Sequence, residues 1–173
     1  MVAAEREHNL QLTVDAYREG RLPAGSGAAD LLAAFQHVDA EIGQSTQPTV
    51  VATDRHIELL LKKRAGILHV QPANFCWFAD PSKALCLKLA GDSTATKPLA
   101  GLCDAARCPQ ATFHAHHRDA WAGCARSTEA FLGNPRIPAA EKPRLTREHE
   151  RAHRVLDAID AATPVDAERR DDQ

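Results

Sequence analysis

All five cysteines of the chain fall between Cys76 and Cys124, and His114, His116 and His117 lie in the same stretch. Thiolate and imidazole are the donors zinc prefers, and a structural zinc takes four of them in a tetrahedron, with ligand pairs about two to four residues apart turning the backbone around the ion. Cys103-Asp-Ala-Ala-Arg-Cys108 is such a pair at the permissive end of that spacing. Cys86 upstream and one of the three histidines downstream complete a Cys3His set. Of the three, His117 is the expected ligand, with His116 as its substitute. His117 and Cys124 are separated by about 10 Å along a helix at 1.5 Å per residue, so one ion cannot take both. Cys124 is therefore expected in the core. Cys76, between Phe75 and Trp77, reads as a small buried apolar residue that could stand in for Cys86. The expected site is thus Cys86, Cys103, Cys108 and His117 holding a structural Zn2+. Four protein ligands leave no open position for catalysis.

A second pattern, His149-Glu150-Arg151-Ala152-His153, matches the H-E-x-x-H signature in which two histidines one helical turn apart bind zinc and the glutamate activates water. Its surroundings disfavour a peptidase, because Arg151 and Arg154 stand where such a helix needs uncharged residues. A third ligand would have to come from Asp157, Asp160 or the charged tail. The same segment carries another feature. Arg144, Arg147, Arg151 and Arg154 fall within about 80° of one another on a helical wheel, beside an apolar stripe of Leu145, Ala152, Leu156 and Ile159. A basic stripe of this kind can follow a phosphate backbone, or it can be a solvated face paired with Glu148 and Glu150.

The elements that position these groups are read as mostly helical. A first helix spans about Val2 to Glu19, with Leu10, Val14 and Tyr17 at helical spacing, and breaks at Gly20 and Pro23 to Gly27. A second runs from about Ala28 to Ile42 and is expected to pair with the first as a hairpin. A third is capped by Thr53 and Asp54 and ends in Lys62-Lys63-Arg64, where cations suit the helix dipole. Ile67 to Val70 reads as a short extended segment. Asp80-Pro81 has the cap and first-turn proline of a short helix through Ser82 to Leu89. Two further helices span about His116 to Leu132, closed by Gly133, and about Ala140 to Ala162.

The whole chain has 173 residues, of which 44% are hydrophobic, 25% charged and only 5% aromatic, with a formal charge of −2. That composition is soluble and globular, and it offers no global basic field, so a polyanion site has to be local. Few large side chains are available for burial at about 25 cal/mol per Å², which makes a metal staple worth having. The polar start, Met1 to His8, and the lack of an apolar run of about eighteen residues predict a cytoplasmic protein with no membrane partner. The expected fold class is mainly α. It divides into an N-terminal helical region over 1–66, a Cys/His-rich zinc region over 67–133, and a charged C-terminal helix and tail over 134–173.

The run from Asn74 through Phe75, Cys76, Trp77 and Phe78 to Cys86, the run Pro98 to Gln110, and His117-Arg118 ahead of Trp121 resemble a Cys/His-rich segment of actinobacterial mobile-element proteins of integrase-like or transposase-like type. The resemblance covers about Val70 to Ala162. It implies that Cys86, Cys103, Cys108 and His117 occupy the recurrent Cys/His positions, that DNA or a recombinase is the partner, and that the final helix is an ordinary charged helix. The catalytic parts of a recombinase are missing from the sequence. The only tyrosine is Tyr17, in the first helix, so a C-terminal tyrosine nucleophile does not exist. P-loop, Rossmann and nucleophile-elbow signatures are absent too. The expectation is a non-catalytic zinc protein of DNA recombination, with a helical protein-interaction module and a zinc hydrolase as the alternatives.

Overall fold

The computed structural model describes residues 2–33 and 66–163. Helices dominate, as expected, but they are arranged around a small antiparallel sheet. The helix expected from Thr53 onward lies outside the described residues, as does most of the one expected over Ala28 to Ile42, of which 28–33 is helical.

Helix α1 spans Val2–Arg18. Its Leu10 and Val14, spaced one turn apart, are buried with Leu31, Leu68, Phe75 and Trp77 in one apolar cluster. The chain then crosses Gly25 and Gly27, which serve a close approach as well as a break. A Cβ on Gly25 would come within 2.8 Å of the Phe113 ring, and Gly25 has φ +95°, a conformation that suits glycine. A Cβ on Gly27 would come within 2.9 Å of the Ala111 carbonyl oxygen. This closeness lets Ala24 exchange both backbone hydrogen bonds with Phe113, each 2.8 Å.

Strand β1, Leu68–Gln71, pairs with β2, Asn74–Trp77, through a tight hairpin, and β2 pairs with β3, Ala111–Thr112. The extended reading of Ile67 to Val70 anticipated only the first of these. Side chains alternate between the faces of a strand. Phe75 and Trp77 accordingly join the α1 cluster, while Cys76 and Phe78 are buried with Ala84, Cys86 and Leu87 on the other side.

Asp80 caps the next segment, its Oδ1 accepting from the Ser82 N–H (2.9 Å) and hydroxyl (2.7 Å). The expected single helix is in fact two pieces. A 3-10 turn over Pro81–Lys83 ends at Ala84, whose extended ψ of 112° starts α2, Leu85–Ala90, afresh. Helices α3, Arg118–Leu132, and α4, Lys142–Ala162, pack along each other, joined through Ala125, Ala152 and Leu156. Leu145, Ala152, Leu156 and Ile159 are buried as their spacing predicts, with Val155 added. Val155 and Ile159 reach a cluster with Cys108, Ala111 and Phe113, so α4 covers the cysteine side of the sheet. Among the described residues, no helix is long and apolar enough to cross a membrane.

Candidate metal centre

Cys76 stands in β2 directly opposite Ala111 of β3. Cys108 precedes Ala111 by three residues, and its carbonyl oxygen accepts the Ala111 N–H at 3.1 Å, so the turn out of Cys108 delivers it beside the same strand. Cys86 enters on the first turn of α2 and is buried in one cluster with Cys76. Cys103 follows a 3-10 turn, Ala100–Leu102, and packs against the cluster that contains Cys108. Four cysteines from three segments thus gather as two pairs, Cys76 with Cys86 and Cys103 with Cys108, around β2, α2 and the Cys103 to Cys108 loop.

Their electrostatics bears this out. Burial pushes the Cys76 thiol up to about 12, and the neighbouring Cys108, Cys103 and Cys86 thiols add to the rise. Cys103 is raised as well, first by burial and then by Cys108, Cys86 and the Asp104 carboxylate, with a hydrogen bond to Gln71 acting the other way. All five cysteines are free thiols. Cys124 is exposed, contrary to its expected core position, because α3 turns Ala125 and Thr128 inward instead. Among the described residues, no group of three or more His, Cys, Asp or Glu side chains is arranged to hold a metal ion as it stands.

His117, the expected imidazole ligand, is in different company. It is 1% exposed and packs edge-on to Phe75 at 4.7 Å between ring centroids, with His116 at 4.0 Å and His114 at 5.6 Å. Phe75 is on the α1 side of β2 and Cys76 on the other. The charges His117 feels are those of His116 and His114, and not of a thiol.

The histidines form a hydrogen-bonded unit of their own. His117 Nδ1 accepts the His114 N–H at 3.0 Å, and the His114 ring accepts the His117 N–H, a reciprocal cap on the 3-10 turn Ala115–His117 that leads into α3. Since Nδ1 is an acceptor, the neutral His117 ring keeps its proton on Nε2 and has no lone pair there for a metal. That Nε2 has no hydrogen-bond partner among the described residues. His114 Nε2 meets the Thr112 hydroxyl at 3.0 Å, and Thr112 also accepts from Trp77 Nε1 at 2.9 Å. Burial, helped by the adjacent imidazoles, lowers His114 and His117 to about 3.

The H-E-x-x-H segment lies on α4, and among the described residues no third ligand joins its two histidines; the charged tail beyond Thr163 lies outside the described residues. His149 Nδ1 is 3.2 Å from the Ala125 carbonyl oxygen and 3.3 Å from the Thr128 hydroxyl, so its ring seals the α3–α4 contact. Glu150 and His153 are exposed. Asp160, one of the ligands the sequence offered, is held by Arg118 through bonds of 2.7 and 3.0 Å.

The four arginines also divide. Arg144 pairs with Glu141 at 2.9 Å and Glu148 at 3.4 Å. Arg151 lies 3.6 Å from Asp104, linking α4 to the loop between Cys103 and Cys108. Arg147 and Arg154 are exposed and enter no ion pair among the described residues.

No family model, curated protein sequence or solved structure matches the chain.

The sequence reading takes Cys76 as a buried apolar residue, which it is, and as a substitute for Cys86, and does not place it alongside Cys86, Cys103 and Cys108 together. The available signal was its position in an alternating run, Phe75-Cys76-Trp77, which separates it from its aromatic neighbours if the run is a strand.

Proposed function

We propose that the chain is a non-catalytic zinc protein of DNA recombination or mobile elements, in which a structural zinc built on Cys86, Cys103 and Cys108 fixes the platform that carries α4, and α4 contacts DNA or a recombinase. The observation that carries the zinc is the convergence of buried cysteines from separate segments in one region. Cysteines gathered without a disulfide offer the thiolate donors that a structural zinc takes, which supports this reading. Binding free energy of such an ion, on the order of 10 kcal/mol, would support a core with few aromatics. The DNA component rests on Arg147 and Arg154, two exposed cations about two turns apart on one helix, and on the resemblance of the Cys/His-rich segment. The Arg151–Asp104 pair links that helix to the metal loop.

Elemental analysis of the purified protein tests the first half, with one zinc per chain expected and none overturning it. Binding to duplex DNA across a salt series tests the second. Affinity that falls as salt rises and drops in Arg147→Ala/Arg154→Ala is expected, and an unchanged affinity in that variant removes DNA contact by α4.

A further inference from the structure

We infer that Cys76 is the fourth ligand, so that Cys76, Cys86, Cys103 and Cys108 form an all-thiolate site for one tetrahedral thiophilic cation, Zn2+, with His117 outside it. This rests on the zinc reading above and specifies its ligands.

Three independent features of the fold lead to it. The first is register. Cys76 faces Ala111 across β2 and β3, and the Cys108 carbonyl accepts the Ala111 N–H in the turn that leads into β3, so Cys108 enters beside the strand that pairs with Cys76. Cys86 on α2 shares a buried cluster with Cys76, and Cys103 packs on the cluster of Cys108, so the four cysteines come as two pairs, one from β2 and α2 and one from the Cys103 to Cys108 loop. The second is the sheet face. Cys76 lies on the face away from α1, whereas His117 packs on Phe75, which faces α1. An ion on the cysteine face would have the sheet between it and His117. The third is the tautomer. His117 Nδ1 is occupied by the His114 N–H, which leaves the ring proton on Nε2 and no free lone pair.

Cysteine turns about a single χ1 bond, so rotation of the side chains alone can bring thiols to the spacing that Zn–S bonds of about 2.3 Å require. Zinc held there would take the four cysteines as thiolates, their protons passing to solvent with no change in oxidation state. The unpartnered Asp104 Oδ1, next in sequence to Cys103, adds negative charge at the rim of the site.

The test uses the full chain and the metal alone. X-ray absorption at the zinc edge of the wild-type protein is expected to give a single shell of four sulfurs without imidazole scattering. Three sulfurs and one nitrogen with imidazole features overturn the inference while leaving the zinc reading intact, and a metal-free protein overturns both. Cobalt titration supplies the variants. Cys76→Ser is expected to lose roughly ten-fold or more in cobalt affinity, and His117→Asn to keep the wild-type charge-transfer and d–d bands. The reverse pattern overturns the assignment. Should Cys76→Ser fail to fold, the wild-type absorption spectrum still decides between the two ligand sets.

Discussion

Phe75 and Cys76 are neighbours in β2, yet the sheet sends them to opposite sides, Phe75 to the histidines and α1, Cys76 to the other thiols. One peptide unit therefore separates two chemical environments that composition alone merges into one Cys/His-rich segment. On the Phe75 side are neutral imidazoles locked by backbone hydrogen bonds. On the Cys76 side are thiols that burial and their neighbours keep protonated.

The arginines of α4 should separate into two behaviours. Arg147→Ala/Arg154→Ala is expected to reduce the slope of log affinity against log salt for duplex DNA by about 2, since each phosphate contact contributes about one unit, and to leave stability unchanged. Arg151→Ala is expected to keep that slope and to lower stability by about 1 kcal/mol or less, because Arg107 still bonds Asp104 at 2.7 Å. Filter binding and denaturant melts on the same preparations check both.

Stripping the metal should cost the fold more than it costs any single helix. Under the zinc reading, a strong chelator is expected to lower the melting temperature of the full chain and broaden its transition, and added zinc to restore both. The α3–α4 pair, held by Ala125, Ala152 and Leu156, is expected to keep its amide protection longest, while Cys86 and Cys103 to Cys108 lose theirs first. Hydrogen exchange read by mass spectrometry would show the order.

The buried histidines predict an acid-sensitive fold. His114 and His117 are lowered to about 3 from an ordinary value near 6.5, so the unfolded chain takes up protons that the folded chain refuses. Their contribution is complete above about pH 6.5 and is lost as pH falls from there toward 3. Between pH 6.5 and 5, stability is expected to fall in the wild type and to fall less in His117→Asn, whose amide oxygen can still accept the His114 N–H. Denaturant midpoints at several pH values and equal metal loading measure the difference.

Thr112 is fully buried and serves two partners, Trp77 Nε1 at 2.9 Å and His114 Nε2 at 3.0 Å. Thr112→Val keeps the shape and removes both bonds. The expected loss is roughly 2–6 kcal/mol, from about 1–3 for each of the two buried groups left unpaired. Thr112→Ser, which retains the hydroxyl, is expected to lose much less in the same melt.

By itself the sequence determined the long helices α1, α3 and α4 and the gathering of cysteine and histidine in one stretch. The apolar stripes of α1 and α4 repeat every turn, a local property that a linear reading detects, and Leu10, Val14, Leu145, Ala152, Leu156 and Ile159 are buried accordingly. The concentration of cysteine in one stretch is equally visible in one dimension. Tertiary structure alone decided the rest. Strands of two to four residues carry too few positions for a period to emerge, and β2 pairs with β3 across more than thirty residues of chain. That non-local register moved Cys76 toward Cys108 and set His117 behind Phe75, while the packing of α3 and α4 turned Ala125 inward and Cys124 outward and the docking of α4 brought Arg151 to Asp104. Which donor faces which depends on the two sides of a sheet, and the sides exist only once distant segments have paired.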